Sequence, residues 1–166
     1  MTVITVTTPQ GRLTVEQRRL LARTLTDAVL VPEVGQLAEA ARVGFQVHFV
    51  ERAPDMMAIG GTLLTDAGQD VMVVDVAVMD ADWRREVRAE AVERILAALA
   101  AACGLPAPSP AWWVNFRVIE DGSWGSGGRV LSILDLLDSG VFTEERAKAI
   151  RACLTGRSGQ LRTPAK

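Results

Sequence analysis

The chain has 166 residues, is 49% hydrophobic and carries a formal net charge of -2 with a pI near 5.5. That length suits one compact domain with its own core, and the near-neutral balance excludes a general attraction to nucleic acid or to an anionic membrane. No basic start leads into an apolar run, and no apolar stretch reaches the roughly 18 residues a bilayer requires. The sequence therefore predicts a soluble, cytoplasmic protein without nucleic-acid or membrane partners.

Residues Thr2 to Thr8 are largely β-branched and read as a buried strand stopped by Pro9. Gly11 turns the chain, and Thr14 offers an N-cap with Gln17 in capping-box register. Leu21, Leu25, Ala28 and Val29 follow at helical spacing, so a one-sided helix is expected to end near Pro32. A second strand spans Phe45 to Glu51, followed by a turn at Ala53-Pro54-Asp55 and by Gly60-Gly61 before Thr62 to Leu64.

The order then repeats. Val71 to Val78 is apolar enough to be a central strand. Asp80 or Asp82 can cap a helix whose apolar positions are Val87, Ala91, Ile95, Ala98, Leu99 and Ala102, with Glu90 and Arg94 paired on its outer face. Trp112 to Ile119 is the next strand, followed by a Gly-rich turn and Arg129 to Leu134. A last helix is expected from Thr143 to about Leu154, with a disordered tail from Gly156. Cys103 and Cys153 lack metal spacing and read as reduced, packed thiols.

Gly60-Gly61 and Gly127-Gly128 lie 127 − 60 = 67 positions apart, and at that offset Val47 meets Val114, Phe49 meets Phe116 and Leu64 meets Leu131. Strand alternation puts those Val and Phe pairs on one face, and Gln46, His48, Val50, Trp113, Asn115 and Arg117 on the other. The predicted fold class is α+β: two tandem β-α-β units, residues 2–66 and 70–134, forming a four-stranded mixed sheet with two helices on one face. They make a single domain over residues 1–140, with a C-terminal helix and flexible tail over 141–166. The uncovered sheet face is too apolar and bulky to stay wet, so a partner is expected there.

The opening Met1-Thr2-Val3-Ile4-Thr5-Val6, then Gly11-Arg12-Leu13-Thr14 and Gln17, resembles the start of 4-oxalocrotonate tautomerase and its relatives. Ala58-Ile59-Gly60-Gly61 and Gly122-Ser123-Trp124-Gly125-Ser126-Gly127-Gly128 resemble the hairpin that follows the second strand in that family. Two copies with a C-terminal extension is the layout of longer tautomerase-superfamily members such as cis-3-chloroacrylic acid dehalogenase and malonate semialdehyde decarboxylase. The resemblance, over about residues 2 to 134, implies a homotrimer whose three sheets line a central barrel. It also implies proton transfer on a small 2-oxo or enol carboxylic acid, without a cofactor or metal.

In the family an amino-terminal proline does the chemistry and arginines hold the substrate carboxylate. Here Thr2 stands at the proline's position and Arg12 matches the first arginine. The second, sheet-borne arginine is replaced by Gln46 in one copy and Trp113 in the other. The aromatic residue before the paired glycines is Met57 in the first copy and Trp124 in the second. Asp80 and Trp83 fall where the dehalogenase pattern has two arginines, and Val29 falls where it has a histidine. Removal of Met1 would leave Thr2 with a primary α-amine whose unperturbed pKa is about 7.7–8.0.

The expected catalytic residues are Thr2 and Arg12, and the expected substrate contacts are Gln46, Met57, Trp113, Arg117 and Trp124. His48 reads as a hydrogen-bonded structural residue, since its repeat counterpart is the untitratable Asn115. Gly125, Gly127 and Gly128 are hairpin geometry rather than a dinucleotide fingerprint. Two other readings stay open: a scaffold that keeps the trimer without catalysis, and altered chemistry on a larger apolar substrate.

Overall fold

The computed structural model describes residues 1–160, with side chains through Thr155. Strand β1 (Thr2–Pro9) leads into helix α1 (Val15–Val34), and a 3-10 turn (Glu39–Gly44) delivers the chain to β2 (Phe45–Arg52). A short hairpin, β3 (Ala58–Ile59) and β4 (Thr62–Leu63), and a single helical turn, α2 (Leu64–Ala67), close the first copy. The second copy runs β5 (Met72–Met79), α3 (Arg85–Ala102), β6 (Trp112–Ile119), and the hairpin β7 (Trp124–Ser126) and β8 (Arg129–Leu131). Helices α4 (Ile133–Leu137) and α5 (Glu144–Gln160) follow.

The sheet order is β2-β1-β5-β6. Within each copy the two long strands are parallel, and the copies meet through the antiparallel pair β1/β5, with Ile4 opposite Val76 and Thr5 opposite Asp75. Ile4, Val6, Val74, Val76 and Val78 are buried against Leu21, Leu25 and Val29 of α1 and Val87, Ala91, Ile95 and Leu99 of α3. Val47, Phe49, Val114 and Phe116 pack against the same core. Alternation therefore sorts the strand residues as the repeat alignment requires. Gln46, His48, Trp113, Asn115 and Arg117 are exposed on the opposite face, Trp113 at 56%.

The Thr14–Gln17 capping box is closed in both directions, and the Glu90–Arg94 pair forms at 2.9 Å. Both cysteines are free. Both paired glycines, Gly60-Gly61 and Gly127-Gly128, take positive φ, as the tight hairpin turns demand.

Several boundaries move. Helix α1 runs through Pro32 and stops at Gly35 (φ 86°), whose N–H reaches the Val31 carbonyl at 2.8 Å. Pro32 forfeits one donor in the last turn, and burial of Leu30, Pro32, Glu33 and Val34 holds the helix beyond it. The strand expected at Val71–Val78 is displaced by one residue to Met72–Met79. Arg129–Leu134 divides into β8 and the start of α4, which Ser132 and Asp135 cap reciprocally. The cap of α3 is a correction: its N-cap is Arg84, with no side-chain hydrogen bond, and Asp82 is turned to other work. Helix α5 continues past Leu154 to Gln160, so the first residues of the tail expected from Gly156 are helical instead, and its remainder, residues 161–166, lies outside the described residues. No helix among the described residues is long and apolar enough to cross a membrane.

Candidate active site

Because β1 and β5 are antiparallel, the two copies point their strand starts toward opposite ends of the sheet. Each start is met by the hairpin of the other copy. Met1 and Thr2 meet Trp124, Gly125 and Ser126 of β7 at one end. At the other end Met57 and Ile59 pack on Leu64, Val71 and Ala111, beside the start of β5. The molecule thus has two related but chemically different ends.

At the first end Thr2 is 1% exposed and its hydroxyl donates to Glu33 Oε2 at 3.3 Å. Glu33, in the last turn of α1, is itself only 3% exposed. The free amine belongs to Met1 and donates to Met79 Sδ at 3.1 Å, so the nitrogen of Thr2 is here a peptide amide. Burial lowers the amine pKa below its ordinary 8.0, and the negative charge of Glu33 opposes that shift. Burial also raises the Glu33 carboxyl, against the pull of the amine, the Thr2 hydroxyl and Arg146. Burial thus pushes each partner toward its uncharged form, against the attraction between their charges.

A cleft of about 210 Å³ opens at the chain terminus, lined by Met1, Thr2, Val3, Val43, Gly44, Gln46 and the Trp124–Ser126 strand. Gln46 Oε1 lies 3.0 Å from His48 Nε2, which gives His48 the hydrogen-bonded role expected of it. The buried Trp124 Nε1 has no hydrogen-bond partner among the described residues, and such a donor is ordinarily satisfied by a ligand or water. Among the described residues, no arginine or lysine lines this cleft.

The end is clamped from outside both repeats. Arg146 of α5 is 7% exposed. Its Nε donates to the Glu33 carbonyl at 3.1 Å, one Nη to the Ala81 carbonyl at 2.8 Å and the other to Asp82 Oδ2 at 3.0 Å. Asp82 sits at φ 53°, an uncommon backbone for a residue other than glycine, and it also takes Arg84. The strands β1 and β5 are offset by 72 − 2 = 70 positions, so the counterpart of Arg12 is 12 + 70 = 82, an aspartate.

Arg12 lies at the other end. The eight-residue strand β1 begins at Thr2 and runs toward it, a span of roughly 25 Å at 3.3–3.4 Å per residue, so one chain cannot apply both groups to one small substrate. Its guanidinium forks onto Asp70, Nε to Oδ1 at 2.6 Å and Nη to Oδ2 at 2.7 Å, and stacks 5.9 Å above Trp112. The hydrogen bond to Asp70 raises its pKa further. Asp70 occupies the start of the second copy, so the charge that might hold a substrate anion is already matched.

Of the residues expected to form the site, Thr2, Gln46 and Trp124 are brought together. Arg12 and Met57 belong to the far end, and Trp113 faces away from the helices opposite Val73 on the same half of the sheet. Arg117 shares a row with Gln46 across Val3 and Ala77 and stands on the open face, beside a depression of about 270 Å³ that includes Asp75 and Asn115. Sequence reasoning missed Glu33, Asp70 and Arg146. The available signal for Glu33 was an acid inside the apolar run Val29-Leu30-Val31-Pro32-Glu33-Val34; nothing local marked the other two.

No established family pattern matches this chain, and no curated protein does. Solved structures do. Native fused 4-OT is similar at 21% identity and a TM-score of 0.63, over 77% of this chain and 94% of that one. A fused 4-OT described as a wild-type symmetric trimer matches at 21% identity and 0.63, over 79% and 96%. A member of the cis-3-chloroacrylic acid dehalogenase family matches at 15% identity and 0.66, over 90% and 99%. Macrophage migration inhibitory factor of Toxoplasma gondii matches at 15% and 0.58, over 78% and 99%.

Proposed function

The chain has the fold of the tautomerase superfamily in its long, fused form, and from that premise we propose a small-molecule enzyme that moves a proton on a 2-oxo or enol carboxylic acid. The reacting base is the N-terminal amine, carried by Thr2 once Met1 is removed. The observation that supports this most is the desolvated chain terminus, where the Met1 amine lies near the buried Glu33 carboxyl and Met1 and Thr2 line a cleft with Gln46 and Trp124. A keto-enol exchange requires one group to take a proton from carbon or oxygen and another to return it. An amine lowered and an acid raised by the same burial are shifted in the directions that let them share that work. Thr2 lacks the fixed φ of proline, so its amine is aimed less rigidly.

The substrate carboxylate finds no cation in the cleft of a single chain. The reading therefore includes a homotrimer, as in the fused 4-OT structures described as trimers. The open face, with Arg117 in the row of Gln46, would pack on another copy and bring an arginine to the cleft across the interface. Arg12 of a neighbouring copy could serve only after leaving Asp70. That engagement, with the absent proline, favours the second reading, a trimeric scaffold without catalysis.

The test joins intact mass, sedimentation equilibrium and ketonisation of phenylenolpyruvate. A Met1-free trimer should exceed the uncatalysed rate, and Thr2→Pro should raise that rate at least about tenfold, since 1.36 kcal/mol of barrier is tenfold. Correctly processed, trimeric wild-type and Thr2→Pro proteins that both run at background would leave the scaffold reading in place.

A further inference from the structure

Behind the N-terminus, on the helix side, lies a second cavity of about 310 Å³. Its walls are the end of α1, the 3-10 turn at 39–44, Phe45 and the segment from Leu131 to Phe142 that follows the second hairpin. It touches the polar cleft only through Met1, Val43 and Gly44. Ala41, Phe45, Leu136 and Phe142 make it apolar, and among the described residues Glu33 is the one titratable side chain in its wall. The size and lining are those of small-molecule pockets, which combine apolar walls with a few placed polar groups.

We propose that this chamber binds an uncharged small molecule with an apolar body and a hydroxyl, the hydroxyl meeting Glu33 and the N-terminal amine. A packing defect would be lined by apolar atoms alone. This wall instead contains a buried carboxyl, Glu33, partnered on one oxygen by the Thr2 hydroxyl. The electrostatics select the ligand's charge. Glu33 and the amine are of opposite sign, and both are shifted toward neutrality by burial, so together they offer no net charge to an ion. A carboxylate would sit beside another carboxyl with no lysine, arginine or histidine in the wall. An ammonium would lose its hydration to a pair that already balances itself. A hydroxyl both donates and accepts, which suits an acid and an amine in either protonation state. The chamber stands independently of the proton-transfer reading, because occupancy requires no reaction.

Calorimetry and ligand-observed NMR on the full chain, with 3-phenylpropan-1-ol and 3-phenylpropionate as probes, test this. The alcohol should bind saturably and at least about tenfold more tightly than the acid of the same body, a tenfold ratio corresponding to about 1.4 kcal/mol. Ala41→Trp or Ser139→Trp, each filling the chamber from a partly exposed wall position, should weaken the alcohol about tenfold or more in a folded protein. Glu33→Leu should abolish the preference for alcohol over acid. The proposal is overturned if neither probe saturates, which is the result expected of a chamber closed by a second copy. It is equally overturned if the acid binds as well as the alcohol, or if both filling variants leave the alcohol's affinity unchanged.

Discussion

The two ends of the sheet descend from one pattern and have exchanged their charges. At the Thr2 end the chain offers an amine and an acid, and the position that repeats Arg12 is Asp82. At the other end it offers Arg12, and the start of the second copy supplies Asp70 to neutralise it. Neither end holds a base and an uncommitted cation together. The difference teaches that duplication preserves the backbone, through the offsets of 70 and 67 positions between matching strands, more strictly than it preserves the chemistry hung on it. It also explains why the C-terminal extension matters at only one end. Arg146 crosses from α5 to bind the Glu33 carbonyl, the Ala81 carbonyl and Asp82, giving the anionic end the cation its repeat lacks.

Removing that cation is the strongest way to break the comparison. Arg146→Ala leaves Asp82 with Arg84 alone, and two carbonyls without their donor, in a region where Arg146 is 7% exposed. Loss of one partner from a buried ion pair typically costs about 3–5 kcal/mol. Chemical denaturation should show a loss of that size, with a change in the environment of Trp83, whose Nε1 donates to the Met79 carbonyl. A loss below about 1 kcal/mol, in the range of an exposed pair, would mean that α5 is only an appendage.

A smaller effect separates the other end. Arg12 and Asp70 are 25% and 32% exposed, so solvent screens the pair, and a double-mutant cycle with Arg12→Ala and Asp70→Asn should give a coupling of about 1 kcal/mol. The sharper result concerns binding. Asp70→Asn releases the guanidinium while leaving its stack on Trp112, so the variant should gain measurable affinity for oxalate that Arg12→Ala in the same background removes. Equal oxalate binding by wild type would show that Asp70 does not occupy the fork in solution.

Period and spacing made the frame legible. Alternation in Phe45–Arg52 and Trp112–Ile119 sorted the faces correctly, the Thr14–Gln17 spacing located the start of α1, and the paired glycines located both hairpins. The site was less legible, because its decisive contacts span long sequence distances. Arg12 finds Asp70 58 positions away, and Arg146 finds the Glu33 carbonyl 113 away. An arginine at the right place in a motif says nothing about which carboxylate reaches it first. Asp82 illustrates the same limit locally: its position suggested a cap, but tertiary pairing with Arg146 and Arg84 outcompeted the helix terminus.

The least effect in size, but the most diagnostic in sign, is the pH dependence of stability at the Thr2 end. The folded Glu33 carboxyl titrates above its ordinary value of 4.5, so the native state binds more protons than the unfolded chain above that pH. Stability contributed by Glu33 is therefore fully present below about 4.5 and is lost as pH rises through the folded pKa. The N-terminal amine titrates below its ordinary 8.0 and acts in the opposite sense: approaching 8.0 from below, the unfolded chain holds more protons, so stability rises with pH. Glu33→Gln keeps the shape and the Thr2 contact but removes the first slope. Relative to wild type, the variant should gain stability as pH increases from 4.5, whereas Asp70→Asn should not reproduce that trend. The amine's upward slope should begin at lower pH in Glu33→Gln, because the carboxylate whose charge opposes its desolvation is gone. Parallel stability profiles for wild type and Glu33→Gln between about pH 4.5 and 8 would mean that Glu33 titrates as an ordinary surface acid. The amine would then have no proton partner in its cleft.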